Sequence, residues 1–229
     1  MGIANRHYIV IIPVLILLII AGCGKNIDYG SVTDIDGNDY KTVIIGSQEW
    51  IAENLRTTKY NDGNGIPLIT DDDAWITLKS PGYCWCRNEE EKCGGKYGAL
   101  YNWHAVNTGI LCPAGWRVAG NDDWELLIDF LSLQDYRGKE GRPLKQRLKW
   151  QSGSRGTDSY GFSALPGGAR YNYTGKFIFV DYNAYWWTAT EYSAKHAMYR
   201  AIYDGRDDVP ADFYNKESGF SVRCIKETE

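Results

Sequence analysis

Five cysteines and two histidines downstream of residue 23 are the side chains best equipped for chemistry: Cys84, Cys86, Cys93, Cys112, Cys224, His104 and His196. Cys84, Cys86, Cys93 and His104 would make a zinc donor set, but zinc sites usually space their cysteines C-x2–4-C, and Cys84-Trp85-Cys86 is C-x-C. That spacing suits a disulfide over a short loop instead, Cys86–Cys93 or Cys84–Cys93. An odd number of thiols leaves one free or paired between molecules. Asp34-x-Asp36-Gly37-Asn38 suggests calcium, yet an EF-type loop needs glycine at its sixth position and glutamate at its twelfth. Those positions hold Asp39 and Ile45, so the segment reads as a turn. Neither histidine stands in a Gly-x-Ser-x-Gly or comparable context. His104, between Trp103 and Ala105, reads as a packed helix residue, and His196 as part of a solvent-facing or binding surface. Carboxylate pairs for glycoside hydrolysis are defined by distance in space, and no motif nominates one. The expectation is a protein that is not an enzyme, with no metal and no cofactor.

Residues 185–217 carry a different chemistry. Tyr, Asn, Ser, Asp and Arg alternate there with few aliphatic residues, the composition of adaptable binding surfaces in which rigid aromatics supply area and small polar groups supply hydrogen bonds. Aromatic platforms also stack on sugar faces. Trp186 and Trp187 on one strand point to opposite faces, so one is expected in the core and the other is offered to a ligand.

The elements that must position these residues are short. Ser31–Ile45 reads as two strands around an Asp36-Gly37-Asn38 turn, followed by a strand at Gln48–Ala52. Asn61–Gly65 is a further turn, and Asp71-Asp72-Asp73 a solvated loop or helix cap. Tyr97–Val106 reads as a short helix. Asn121–Leu131 is the clearest one: Asn121 is placed as its N-cap, and Asp122 and Asp123 sit in the first turn where the helix dipole favours them. Trp124, Leu127, Ile128 and Leu131 make one apolar face. Pro143–Leu148 adds a further short helix. Strands are expected at Tyr185–Ala189, Met198–Tyr203 and Gly219–Ile225. The class is α+β, with short antiparallel strands, a few short helices and long loops.

At the other end, Arg6 precedes an apolar run from Tyr8 to Ile20 that closes on Ala21-Gly22-Cys23. A positive residue, an apolar stretch and small residues at a cut site describe an export signal, and the run is short for a span of about 20 residues. It resembles the lipobox of bacterial lipoproteins, which implies cleavage before Cys23 and lipid attachment, palmitate included, at that cysteine. Each buried CH₂ contributes only about 0.8 kcal/mol, so stable anchoring takes more than one acyl chain; a triacylated cysteine meets that need. Gly24 does not resemble an inner-membrane retention signal, so the expected location is the outer membrane or cell surface. The expected organisation is a signal peptide at 1–22, a lipidated tether at 23–29 and one domain at 30–229. After cleavage 24 basic side chains face 29 acidic ones. No basic run or stripe of the kind a phosphate backbone requires is present, so nucleic acid is not an expected partner. Nine Trp and seventeen Tyr against two Met suit both strand-rich cores and wet binding faces.

Seven ordered motifs carry a family resemblance: Thr33–Gly37; Ile45-Gly46 with Trp50 and Glu53-Asn54-Leu55; Tyr97–Trp103; Leu111–Trp116; Gly161–Gly168; Tyr185-Trp186-Trp187; and Gly219–Cys224. Together they resemble the Fibrobacter succinogenes major paralogous domain over about residues 30–226. Two blocks are also similar to the formylglycine-generating enzymes, and both families imply a C-type-lectin-like fold whose N- and C-terminal strands pair. Ala119-Gly120 departs from the Pro-Ser/Thr expected before the main helix. The enzyme resemblance implies a copper-using cysteine pair upstream of the last strand, and no cysteine lies between Tyr185 and Gly219. Cys112 and Cys224 fall in shared motifs, and a bridge between them would close a loop of about 112 residues, contributing about 4–5 kcal/mol in the chain-entropy model. The Glu-Pro-Asn, Gln-Pro-Asp and Trp-Asn-Asp motifs of calcium-dependent lectins do not occur, so calcium-free recognition of a glycan or a cell-surface protein is expected. Lectin-fold lipoproteins diversified by retroelements carry their variable residues in the same C-terminal stretch, and by that resemblance Tyr192, His196, Tyr199, Tyr203, Asp207, Phe213 and Tyr214 would line the ligand face beside Trp186 or Trp187. The alternative is a surface-coat or adhesin-like subunit without a discrete ligand.

Overall fold

Along one strand Tyr40 and Thr42 are buried on one face and Val43 and Ile45 on the other, with Lys41 and Ile44 exposed, so this strand is covered on each face over part of its length. The computed structural model describes residues 26–151 and 156–228. The signal segment and the lipid-attachment cysteine Cys23 lie outside the described residues. The elements in chain order are β1 (Gly30–Thr33), β2 (Asp39–Ile45), β3 (Gln48–Ile51), α1 (Asp72–Ile76), β4 (Tyr83–Trp85), α2 (Glu90–Tyr97), β5 (Ala99–Tyr101), α3 (Trp103–Val106), β6 (Trp116–Val118), α4 (Asn121–Leu131), α5 (Gly141–Leu144), β7 (Ala169–Arg170), β8 (Phe177–Ile178), β9 (Asn183–Glu191), β10 (His196–Tyr203), β11 (Ala211–Asn215) and β12 (Cys224–Lys226). The fold is mixed α and β, and every ladder between these strands is antiparallel.

One sheet runs β1-β2-β3-β12-β6, so the last strand lies between β3 and β6, with Ile225 opposite Trp50 and Arg117. A second sheet runs β11-β10-β9, and β4-β5 and β7-β8 form two hairpins. Among the described residues no helix is long and apolar enough to cross a membrane. Ile27, expected in the tether, packs against the body of the domain.

The first turn is closed by its own side chain: the Asp34 carboxylate accepts from the backbone N–H groups of Asp36 and Asn38 and from the Tyr40 hydroxyl. Asp71 caps α1, accepting from the Ala74 N–H at 2.8 Å. The main helix α4 has its expected extent, and Trp124, Leu127 and Leu131 are buried, but Asn121 is not its cap. Gly120 stands at that position. Asp123 reaches back to accept from the Gly120 N–H at 2.7 Å, which frees the Asn121 side chain to accept from Arg200 at 2.7 Å.

The expected helix over Tyr97–Val106 is instead the end of α2, the strand β5 and the short α3. Gly98, at φ +72°, breaks it; a Cβ there would lie 2.7 Å from the Leu55 carbonyl oxygen. Helix α2 itself carries little apolar periodicity and contains Gly94-Gly95, each costing about 1 kcal/mol relative to Ala. What holds it is the Cys86–Cys93 disulfide, which ties it to the turn after β4. Among the described residues Cys84 is the free, buried cysteine, and burial pushes its thiol up to about 12. Cys112 and Cys224 are bridged, with Cα atoms 6.1 Å apart, joining the loop before β6 to β12.

Of the expected strand Gly219–Ile225 only Cys224–Lys226 forms a ladder. Gly219, Phe220 and Ser221 make single bridges to Arg170, Tyr101 and Trp186, so this segment threads between the sheets. The motif residues meet around it. The Asn54 amide donates to the Tyr97 carbonyl at 2.8 Å and to the Ser221 hydroxyl at 3.2 Å, and its oxygen accepts from Trp186 Nε1 at 2.9 Å and Arg223 Nε at 2.8 Å. Arg223 in turn donates to the carbonyls of Ile51 and Phe162 and lies over the Phe162 ring at 4.4 Å.

Candidate functional site

Strand alternation divides the expected ligand residues between the two faces of the β11-β10-β9 sheet. Tyr199, Ala201 and Tyr203 of β10 share one face with Tyr185 and Trp187 of β9 and Tyr214 of β11, as their cross-strand partners require. His196, Arg200 and Ile202 share the other with Trp186 and Phe213, and this second face packs on α4, where Arg200 meets Glu125. The offset between Ala197 and Tyr199 marks a bulge in the β9–β10 ladder.

Trp186 and Trp187 both correct the sequence expectation, since each is 0 % exposed. The face opposite to the core that the alternation reserved for one of them is also interior, because the Phe220 segment covers it. The Trp186 ring is 5.6 Å from Trp124, and its N–H is held by Asn54. The Trp187 N–H donates to the Tyr101 carbonyl at 2.9 Å, with its ring 4.4 Å from Phe220. Neither indole is presented to a ligand. Asp207 is also elsewhere: it lies in the loop after β10, where its carbonyl accepts from the Gly141 N–H and its carboxylate is 3.4 Å from Lys145 Nζ. Tyr192, Phe213 and His196 do come together, at the sheet edge on the α4-facing side. The Tyr192 and Phe213 rings stack at 4.0 Å, with the His196 ring edge-on at 5.5 Å.

Tyr199, Tyr203 and Tyr214 build a different site, an aromatic cleft of about 150 Å³ between the sheet and the β7–β8 hairpin. Its walls are completed by Tyr185, Phe220, Tyr171 and Phe179. Tyr185 stacks on Phe220 at 5.3 Å and stands 6.0 Å from both Tyr199 and Tyr203; Tyr214 lies 5.9 Å from Phe220 and 6.3 Å from Tyr171. Aromatic surface is exposed beside it as well: Phe179 is 54 % exposed and Tyr173, whose ring lies 5.2 Å from Tyr171, 68 %. Sequence reasoning missed Tyr171, Phe179, Tyr185 and Phe220. The hairpin glycines Gly168 and Gly175, which fold Tyr171 and Phe179 back over the sheet, were the available signal; a Cβ at Gly168 would lie 2.5 Å from the Ile178 carbonyl oxygen.

The cleft is uncharged. Burial raises the Tyr199 and Tyr214 phenols, the first further by Tyr203 and the second by its bond to Tyr171. Tyr185 is pushed up to about 12, although Asn183 donates to its hydroxyl at 2.9 Å. The one ion in the wall, Arg170, is fully buried, with its donors occupied by the carbonyls of Gly175, Ile69, Thr70 and Asp71 and a contact to Asp72. What remains is hydrocarbon ring surface with neutral hydroxyls turned largely to one another. That lining takes up an apolar group rather than a charged one, and an apolar cavity of roughly 150 Å³ is of the size that admits a single benzene ring. His104 plays no part in it; it lies on α3, 3.9 Å from Glu217, with its imidazole lowered by burial.

A family model described as the Fibrobacter succinogenes major domain matches residues 43–226. No curated protein and no solved structure matches the chain.

Proposed function

The chain belongs to the Fibrobacter succinogenes major domain family, and on that footing we propose that it is a non-catalytic binding module whose aromatic cleft receives an apolar side chain of a cell-surface protein. The cleft carries this reading: seven aromatic rings line a benzene-sized space, the Tyr185 hydroxyl accepts from Asn183, and the Arg170 donors are taken up by backbone carbonyls behind the wall. A sugar ring needs directed hydrogen bonds around its edge, whereas an aromatic or branched aliphatic side chain needs apolar area and shape, which the rings supply. Exposed aromatics at the rim extend the contact surface in the manner of an interface core with a polar border.

The proposal places the domain outside the cytoplasm as a lipoprotein held at the outer membrane through Cys23. Two disulfides, Cys86–Cys93 and Cys112–Cys224, support that, because such bonds persist in oxidising compartments. We read the architecture as C-type-lectin-like. The insertion of β12 between β3 and β6 supports it, as do the long irregular segments that carry the cleft. Fold alone does not assign a ligand; the lining of the cleft is what supports this reading.

The test is photo-crosslinking on intact cells. Phe179 at the rim is replaced by p-benzoylphenylalanine. A discrete protein adduct that disappears when Tyr203→Ala and Tyr214→Ala are added is the expected result. An adduct to polysaccharide alone, or one indifferent to those two changes, overturns the reading.

A further inference from the structure

Ile44, Leu126 and Leu133 are left 70, 57 and 77 % exposed, and they gather near the end of the sheet from which the chain leads back to Cys23. Resting on the reading of Cys23 as lipid-bearing, we propose that these residues form a docking face for the zwitterionic phospholipid surface in which its acyl chains sit. Docked by that face, the domain turns its aromatic cleft away from the bilayer.

The apolar strip is continuous across two elements. Leu126 and Phe130 of α4 and Leu133, still in helical backbone just past its end, stand at i, i+4 and i+7, the spacing of one helix face. That face points away from the buried side made by Trp124, Leu127 and Leu131. Leu126 and Ile44 line one groove of about 390 Å³. Phe130 covers the turn between β2 and β3, where a Cβ on Gly46 would lie 3.1 Å from its ring. Exposed apolar patches of this kind mark contacts with proteins or membranes.

The path of the chain says which of the two covers it. β1 runs antiparallel to β2 with Gly30 opposite Thr42, so upstream of Gly30 the chain heads for the Ile44 end of the sheet. Ile27 is still packed on the body: a Cβ on Gly161 would lie 2.9 Å from it, and the neighbouring Tyr160 ring is 5.7 Å from Phe130. Four residue steps separate Ile27 from Cys23, a reach of at most about 14 Å. An acylated Cys23 therefore holds this end of the domain at the membrane surface. An amphipathic helix face held there buries about 5–10 Å deep at the boundary of headgroups and acyl chains.

Charge selects the kind of lipid. The two cations of the groove are taken within the protein, Arg117 by Asp123 and Lys226 by Glu49 at 2.8 Å. Asp122 and Asp129 are exposed on α4 beside the strip. Anionic lipid is attracted by clusters of free Lys and Arg, which neither the strip nor the groove supplies among the described residues. The orientation follows from the packing of α4. Its inner side lies on one face of the β11-β10-β9 sheet, where Arg200 meets Glu125, and the cleft is on the other face. Helix and sheet then stand between the lipid and the cleft.

The full chain, purified from membranes and reconstituted in phosphatidylcholine–phosphatidylethanolamine vesicles containing a doxyl-labelled phosphatidylcholine, provides the test. Its intact mass counts the acyl chains on Cys23. Ile44→Cys, Leu126→Cys and Phe179→Cys each carry a nitrobenzoxadiazole label, from which Cys84, 0 % exposed, is shielded. Quenching at residues 44 and 126 is expected to be at least threefold stronger than at residue 179 and no greater when phosphatidylglycerol is added. Leu126→Ser with Leu133→Ser, both at exposed positions, reduces the quenching at residue 44 at least threefold. With the acyl chains present, equal or absent quenching at the three positions, quenching indifferent to the two serines, or quenching that grows with phosphatidylglycerol overturns the docking face and leaves the lipoprotein reading standing. A chain without acyl groups overturns both.

Discussion

Replacing Asn54 by Leu removes the residue that ties four separated segments together, and the size of the effect follows from its partners. Asn54 makes four bonds, to Tyr97, Ser221, Trp186 and Arg223, and is itself buried. Leu has nearly the same shape, so the change opens little cavity but orphans two donors, the indole of Trp186 and Nε of Arg223, and one carbonyl, that of Tyr97. The Ser221 hydroxyl can rotate to another acceptor. A buried polar group left unpaired costs about 1–3 kcal/mol, and three of them give a loss of about 3 kcal/mol at the least. Set against a typical stability of about 5–15 kcal/mol, that is a large fraction, equivalent to a fall in Tm of roughly 6–12 °C for a domain of this size. Urea unfolding followed by tryptophan fluorescence measures it: Asn54→Leu lowers the midpoint with the slope m unchanged. Ser221→Ala, which removes only the 3.2 Å bond, loses about 1 kcal/mol or less. A loss below about 1 kcal/mol for Asn54→Leu, or equal losses for the two variants, would refute the reasoning that these motifs are an internal hydrogen-bonded hub.

Three further outcomes are expected. Because folding holds Tyr185 at about 12 and raises Tyr199, Tyr214, Tyr40 and Tyr97 from an ordinary value near 10, their neutral forms favour the folded state. Their contribution is complete below pH 10 and is lost as pH rises from about 10 through 12, so the urea midpoint falls steeply over that window; a flat midpoint across it contradicts the burial argument. Replacing Cys112 and Cys224 together by Ser opens a 112-residue loop and lowers stability by up to about 4–5 kcal/mol in the chain-entropy model, read by calorimetry, with an unchanged Tm as the contrary result. Tyr203→Ala with Tyr214→Ala abolishes protein-partner binding measured by surface plasmon resonance, whereas Tyr192→Ala with Phe213→Ala, on the opposite face of the sheet, leaves it within about twofold.

The strands β2, β3, β9 and β10 were legible as short apolar, β-branched and aromatic runs, the helix α4 by its apolar period, and the Asp34 turn because its residues satisfy one another locally. Cys86–Cys93 and Cys112–Cys224 were also within reach of spacing and resemblance. The segment from Tyr97 to Val106 was not. Its apolar residues face several different neighbours, so the period of a helix emerges where Gly98 in fact breaks the chain. The aromatic cleft was half legible. Composition drew attention to residues 185–217, but the sheet is buried on both faces, so the alternation that should have freed one of Trp186 and Trp187 freed neither. The partners of Tyr199, Tyr203 and Tyr214 come from Tyr171, Phe179 and Phe220; the hairpin glycines Gly168 and Gly175 mark the turns that carry the first two, but their approach to the sheet, and that of Phe220, is set by tertiary packing.

The most direct measurement of the central claim is a titration of the full chain with N-acetylphenylalaninamide and with methyl β-glucopyranoside, read from the aromatic ring resonances. The account predicts saturable shifts with the first compound, confined to Tyr171, Tyr185, Tyr199, Tyr203, Tyr214, Phe179 and Phe220, unchanged between pH 6 and pH 9 and lost in Tyr203→Ala. Shifts at these rings with the glucoside alone, or shifts with N-acetylphenylalaninamide that fall elsewhere on the protein, would contradict it.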